Sequence, residues 1–216
     1  MPHRAILATL ALVLAGTPLA RAQTAGTATA TVAGGCFWCV EADFESVAGV
    51  GDVVSGLTGG TTPDPVYGRS GDHVEAVTIP YDPVTVSYRQ ILDLFFRSID
   101  PTDAGGQFCD RGREYTTAVF VSGPEQRAVA EAAKADAERA LGQEIVTPIL
   151  EAGPFYPVDD YHQDYYRSED RIAVSSLGIG VPKNEAYVRY RLGCGRDARV
   201  DELWGDAAPF TAKYLN

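Results

Sequence analysis

The chain has 216 residues, a formal net charge of −11, and 45% apolar and 22% charged side chains. That length and apolar share suffice for one substantial hydrophobic core and exclude a disordered acidic chain. The acidic balance argues against nucleic acid or an anionic lipid surface as a partner.

Residues 1–22 read as an export signal. Arg4 supplies a positive start, Ala5–Ala15 is an uncharged apolar run, and Ala20-Arg21-Ala22 puts small residues at a cleavage position. The run is short for a bilayer span, and none of that length follows it. The expectation is cleavage before Gln23, no stable membrane insertion and a periplasmic or secreted product. Residues 23–216 then form a single domain. Losing Arg4 and Arg21 takes the charge from −11 to −13, and all four cysteines remain: Cys36, Cys39, Cys109 and Cys194.

Thr27–Ala33 alternates and runs into Gly34-Gly35, which predicts a strand and a tight turn. Val40, Phe44 and Val47 then recur at helical spacing, so Cys36 falls where a strand hands over to a helix. Free N–H groups and the positive end of the helix dipole favour a thiolate there. Val53–Leu57 predicts a short strand. Glu75–Pro80 predicts a half-buried one, with Ala76 and Thr78 on one face and Val77 and Ile79 on the other. A capping box at Ser87–Gln90 opens a helix buried through Ile91, Leu92, Leu94, Phe95 and Ile99. Thr116–Ser122 predicts a strand, and a second capping box at Ser122–Glu125 opens an alanine-rich helix that stops at Gly142. Thr147–Glu151 is one more short strand. The order strand–helix–strand–strand–helix–strand–helix–strand predicts an α/β (α+β) fold, a mixed sheet with helices packed on it. The C-terminal third, rich in tyrosine and aspartate after Gly153, is expected to wrap the domain irregularly.

The chemistry-bearing residues fall into four groups. Cys36 and Cys39 form a Cys-x-x-Cys with Phe37 and Trp38 between them. A thioredoxin-like dithiol site is one reading of that pair, although such sites usually carry tryptophan before the first cysteine. Zinc is disfavoured, because the pair stands alone with only His73 and His162 to follow it. Glu75, at a strand start, becomes a proton donor near neutral pH if buried and an inert carboxylate if it faces water. Cys109 and Asp110 enter a polar loop before Tyr115. Cys194 lies between Gly193 and Gly195, where either a mobile thiol or a structural disulfide is consistent with the residues alone.

In order along the chain stand Gly-Cys-Phe-Trp with Val40-Glu41, Thr58-Gly59-Gly60, Pro65-Val66-Tyr67, His73–Val77, Tyr81-Asp82-Pro83, Asp110-Arg111-Gly112 with Tyr115, and Phe155-Tyr156-Pro157 with Tyr161–Tyr165. Together they resemble the peptide-methionine (S)-S-oxide reductases, from about Ala30 to Trp204. The resemblance implies a ferredoxin-like α/β plait that reduces methionine-S-sulfoxide, in proteins and as the free amino acid. It implies Cys36 as nucleophile, Glu75 as acid, and Tyr67 and Tyr115 as phenols on the sulfoxide oxygen. Asp110 would help orient that group, and Phe37 and Trp38 would wall the pocket for the S-methyl group. Cys36 would become a sulfenic acid and then a disulfide, recharged by an external dithiol such as a thioredoxin-like protein, with no metal or other cofactor and in a monomer. Cys194 is the expected resolving thiol, with Cys39 and Cys109 as alternatives. Cys39 stands where glycine usually follows Phe-Trp. A dithiol oxidoreductase using Cys36 and Cys39, or a disulfide-stapled binding domain, are the rival readings.

Overall fold

The computed structural model describes residues 26–175 and 178–215; the expected signal segment, residues 1–22, lies outside the described residues. Strand β1 (Ala28–Gly34) leads into helix α1 (Phe37–Phe44), then strands β2 (Val54–Thr58) and β3 (Val74–Tyr81), then helix α2 (Tyr88–Arg97). A two-residue hairpin, β4 (Gly106–Gln107) and β5 (Asp110–Arg111), and a short 3-10 turn (Arg113–Tyr115) come before strand β6 (Thr117–Val121). Helix α3 (Pro124–Leu141), strand β7 (Ile149–Glu151) and strand β8 (Tyr156–Pro157) complete the main body. The rest comprises the small hairpin β9 (Val174–Ser175) and β10 (Gly178–Ile179), then α4 (Lys183–Cys194), α5 (Arg196–Trp204) and α6 (Ala212–Leu215).

The main sheet runs β7-β6-β1-β3-β2-β8. Every pairing in it is antiparallel except β6 with β7, which is parallel. Its central four strands, with α1 and α2 as connections, make the expected βαββαβ plait. One sheet face, through Val32, Val77, Ile79, Val119 and Val121, packs on α1, α2 and α3. The other, through Ala33, Val74, Ala76, Ala118 and Phe120, packs on Phe155. β3 lies between β1 and β2, so it is more deeply buried than its alternation suggested. Among the described residues no helix is long and apolar enough to cross a membrane.

The Ser87 capping box forms: Ser87 Oγ accepts from Gln90 N–H at 3.2 Å, and Gln90 Oε1 accepts from Ser87 N–H at 2.9 Å. The one expected at Ser122 does not. Gly123 takes the N-cap with φ +121, Pro124 follows at the first helical position, and Ser122 N–H donates instead to Gln126 Oε1 at 2.9 Å. The irregular C-terminal wrap also needs correction, because α4 and α5 are regular helices. They are locked by buried charge as well as by the apolar contacts of Ala186, Tyr187, Val200 and Trp204. Arg191, fully buried, donates to Asp43 Oδ1 on α1 at 2.7 Å and grips Asp197 with two bonds of 2.9 and 2.7 Å. Arg196 donates to Gly34 O at 3.1 Å and Ser98 O at 2.9 Å, tying α5 to the end of β1.

Candidate active site

Cys36 is the N-cap of α1, and the two glycines before it are demanded by their surroundings. Gly35 sits at φ +81, and a Cβ on it would lie 2.5 Å from Gln107 Cβ. A Cβ on Gly34 would meet Val40 Cγ2 at 3.0 Å. Gln107, wholly buried, is fixed by bonds to Asp100 N–H and Asp100 O of 2.9 and 2.8 Å. The hairpin that contains Gln107 delivers Asp110, its direct cross-strand partner, and the 3-10 turn after it delivers Tyr115.

These residues converge on a cavity of about 70 Å³ lined by Cys36, Phe37, Trp38, Tyr67, Glu75, Asp110, Tyr115 and Tyr190. All eight expected residues except Cys194 are thus brought together, and Tyr190 is added. Glu75 shares the strand face of Val77 and Ile79, so it points under α1 and not into water. Its Oε2 accepts the Phe37 N–H at 3.0 Å. Burial, helped by the charges of Asp110 and Glu114, pushes its carboxyl up from 4.5 to about 8 against that hydrogen bond. Glu75 is therefore a protonated acid at neutral pH. Burial and the nearby Glu75 push the Tyr67 and Tyr115 phenols upward too, which keeps both neutral donors.

Cys36 differs from expectation in one respect. Its sulfur is buried, and burial pushes the thiol up, assisted by the neighbouring Cys39 sulfur and by Glu75. The Phe37 N–H that begins the helix donates to Glu75. A hydrogen bond from Tyr190 acts the other way, toward the thiolate.

The wall beside the sulfur is aromatic and layered. Trp38 stacks on Tyr165 with ring centroids 3.9 Å apart, lies nearly parallel to His162 at 5.7 Å, and meets Tyr190 edge-on at 6.2 Å. Tyr67, partly exposed, rests on His162 at 3.9 Å. Tyr67 is carried by a loop that Asp72 fastens through the hydroxyls and N–H groups of Thr61 and Thr62, at 2.7–2.9 Å. His73 closes the same loop, with Nδ1 accepting from Gly60 N–H at 3.2 Å and Nε2 facing Thr62 O at 2.8 Å. It is a structural histidine. On the other side, Gln163 pairs with Ser55 N–H and O at 2.9 Å each, and Asp164 N–H donates to buried Glu41 at 2.9 Å. These bonds hold the segment carrying His162 and Tyr165 against α1.

Cys109 and Cys194 are joined by a disulfide, whereas Cys36 and Cys39 are free and buried. Cys194 is not on the mobile segment that its flanking glycines suggested. Gly193 lies within α4, Cys194 is its last residue, and Gly195 is the left-handed cap at φ +74. Cys194 Sγ nevertheless lies 3.9 Å from Asp110 Oδ2, one layer behind the cavity. Cys109 is exposed, and Cys39 hydrogen-bonds to Cys36. That bond, together with Arg196 and Arg191, pulls the Cys39 thiol down despite its burial. Tyr190 was missed by sequence reasoning, since it sits in a polar run with no apolar rhythm around it.

Comparison with known proteins points to one family. A family model described as peptide methionine sulfoxide reductase matches residues 28–191. The peptide methionine sulfoxide reductase MsrA 2 of Rhizobium meliloti is 45% identical over 83% of this chain and 84% of its own. MsrA of Bacillus subtilis is 44% identical over 82% of this chain and 95% of its own. Among solved structures, methionine sulfoxide reductase A of Corynebacterium diphtheriae superposes with a TM-score of 0.57 at 29% identity, covering 75% of this chain and 85% of its own. Mxr1 of Saccharomyces cerevisiae in reduced form superposes with a TM-score of 0.62 at 26% identity, covering 66% and 86%.

Proposed function

We propose residue roles for a chain that belongs to the peptide methionine sulfoxide reductase family and reduces methionine sulfoxide to methionine. Cys36, as thiolate, attacks the sulfoxide sulfur. Glu75 gives its proton to the oxygen, which Tyr67 and Tyr115 hold as neutral donors with Asp110 behind them. Phe37 and Trp38 receive the S-methyl group. Methionine leaves and Cys36 is left as a sulfenic acid. The electrons come from the protein's own sulfur, so the step requires no cofactor. The observation that carries this reading is the convergence of a cysteine, a protonated carboxyl and two phenols on one cavity of about 70 Å³.

The substrate is the S epimer, both in proteins and as the free amino acid. The test is reduction of each epimer by purified residues 23–216 with dithiothreitol. Consumption of the S epimer alone supports the reading. Consumption of the R epimer alone, or insulin reduction without sulfoxide reduction, refutes it.

Cys194 resolves the sulfenic acid, expelling water, and Cys109 then displaces Cys36 to leave Cys109–Cys194. The adjacency of both sulfurs of that disulfide to Asp110 supports a role for the pair beside the site. A second reading, closure of Cys36 on Cys39, is favoured by the hydrogen bond between those two sulfurs. A thioredoxin-like dithiol recharges the enzyme, which acts as a monomer. Residues 1–22 are removed on export to the periplasm or beyond, which implies an exported thioredoxin-like domain or a membrane electron relay as the reductant. N-terminal sequencing of the fractionated protein tests this, with Gln23 expected first.

A further inference from the structure

Tyr67 and Tyr115 address the sulfoxide oxygen, but neither explains how the buried sulfur of Cys36 becomes a thiolate. Tyr190 is the remaining phenol lining the cavity, presented by α4. Its hydroxyl donates a hydrogen bond to Asp110 Oδ2 and is also within hydrogen-bonding reach of Cys36. Its ring is set edge-on against Trp38. One hydroxyl proton therefore faces two acceptors, a carboxylate and a sulfur.

We infer that Tyr190 is a catalytic residue of this site, the switchable hydrogen-bond donor that turns from Asp110 to Cys36 when the sulfur ionises. The Tyr190 proton stays on its oxygen and changes only its acceptor, while the proton that Cys36 gives up passes to bulk water. Burial and the surrounding negative groups keep the phenol far too weak an acid to lose its proton, so it serves solely as a donor. Asp110 loses one partner in the exchange. Its carboxyl, raised by burial, keeps the Arg196 charge as a stabilising neighbour when Tyr190 turns away. The tethering of α4 through Arg191 to Asp43 fixes how far Tyr190 stands from Cys36. This inference rests on Cys36 being the nucleophile.

The test compares Tyr190→Phe, which keeps the ring, with Asp110→Asn. Site-resolved alkylation of Cys36 against pH, read by mass spectrometry, reports its ionisation. Tyr190→Phe should shift that profile upward and slow single-turnover methionine release at neutral pH roughly tenfold or more, the loss expected for a hydrogen bond to a charged group. Asp110→Asn removes a negative charge and a stronger competitor for the same proton, so the Cys36 profile should stay or move downward. If Tyr190 merely propped up Asp110, the two variants would shift Cys36 in the same direction, and that outcome overturns the inference. So does a Tyr190→Phe profile and rate equal to the wild type. Failure of the underlying nucleophile assignment is distinguishable, because it shows as methionine release by Cys36→Ser with Tyr190 intact.

Discussion

The Phe37 N–H donates to Glu75 Oε2 at 3.0 Å, so the first amide of the helix that Cys36 caps is spent on the acid and not on the nucleophile. This one bond registers β3 against α1 and fixes where the proton donor stands relative to the sulfur. Burial, with Cys39 and Glu75 nearby, keeps the Cys36 thiol raised. The enzyme has an acid ready at neutral pH and a nucleophile that must be ionised on demand.

Glu75→Gln keeps the shape of the side chain, and the Gln carbonyl oxygen can still accept from Phe37 N–H, but it cannot donate a proton to the leaving oxygen as an acid does. Reduction in a single turnover should slow by about 10²–10⁴-fold while substrate affinity changes little. A rate near wild type at neutral pH would reduce Glu75 to a structural role.

The pH dependence of stability follows from two raised carboxyls. Glu41 is pushed up to about 7 by burial, with Glu45 and Asp164 adding to it, and Glu75 to about 8. Between the ordinary carboxyl value of 4.5 and those values, the native protein holds protons that the unfolded chain has released. Stability should therefore be highest near the lower end of that window and fall as pH rises through it. Asp72 and Asp103 are lowered by their hydrogen bonds and titrate below the window. Urea midpoints of residues 23–216 measured across the window check this, and Glu41→Gln should flatten the trend. The same proton on Glu75 makes methionine release decline above about pH 8.

Much of this architecture is readable from residue patterns. The β1–α1 junction announces itself through Gly34-Gly35-Cys36, and the Ser87 box through a serine and glutamine three apart. Helix α4 stays hidden because its inward side is Ala186, Tyr187 and a buried arginine, Arg191. A guanidinium normally marks a solvated face, and only the tertiary partners Asp43 and Asp197 reverse that. The same polar texture concealed Tyr190. Glu75 was ambiguous for a related reason: its neighbours fit an edge or an interior strand equally well, and the sheet order decides. The pairing of Cys194 with Cys109, distant in sequence, depends on where α4 ends, which pattern alone does not reach.

Replacing Arg191 with methionine leaves Asp43 and Asp197 buried without their shared partner. The cost should be roughly 3–5 kcal/mol, as for breaking a buried ion pair from one side. Denaturant titration measures it. Because α4 carries Tyr190 and Cys194, turnover with a protein dithiol should fall along with stability. A loss below about 1 kcal/mol, the range of exposed pairs, would show the network to be solvated.

The two resolving routes separate cleanly in variants. With Cys194→Ser, one methionine per protein should still form, while turnover with a thioredoxin-like reductant collapses; Cys39→Ser should leave that turnover largely intact. The opposite pattern assigns resolution to Cys39.

The most direct test of the account is methionine released from methionine-S-sulfoxide in a single turnover without reductant, compared between residues 23–216 and the same protein carrying Cys36→Ser. The account predicts at least one methionine per wild-type molecule and none from the variant, whose hydroxyl cannot attack the sulfoxide sulfur. Release from Cys36→Ser at a rate within tenfold of wild type would contradict it.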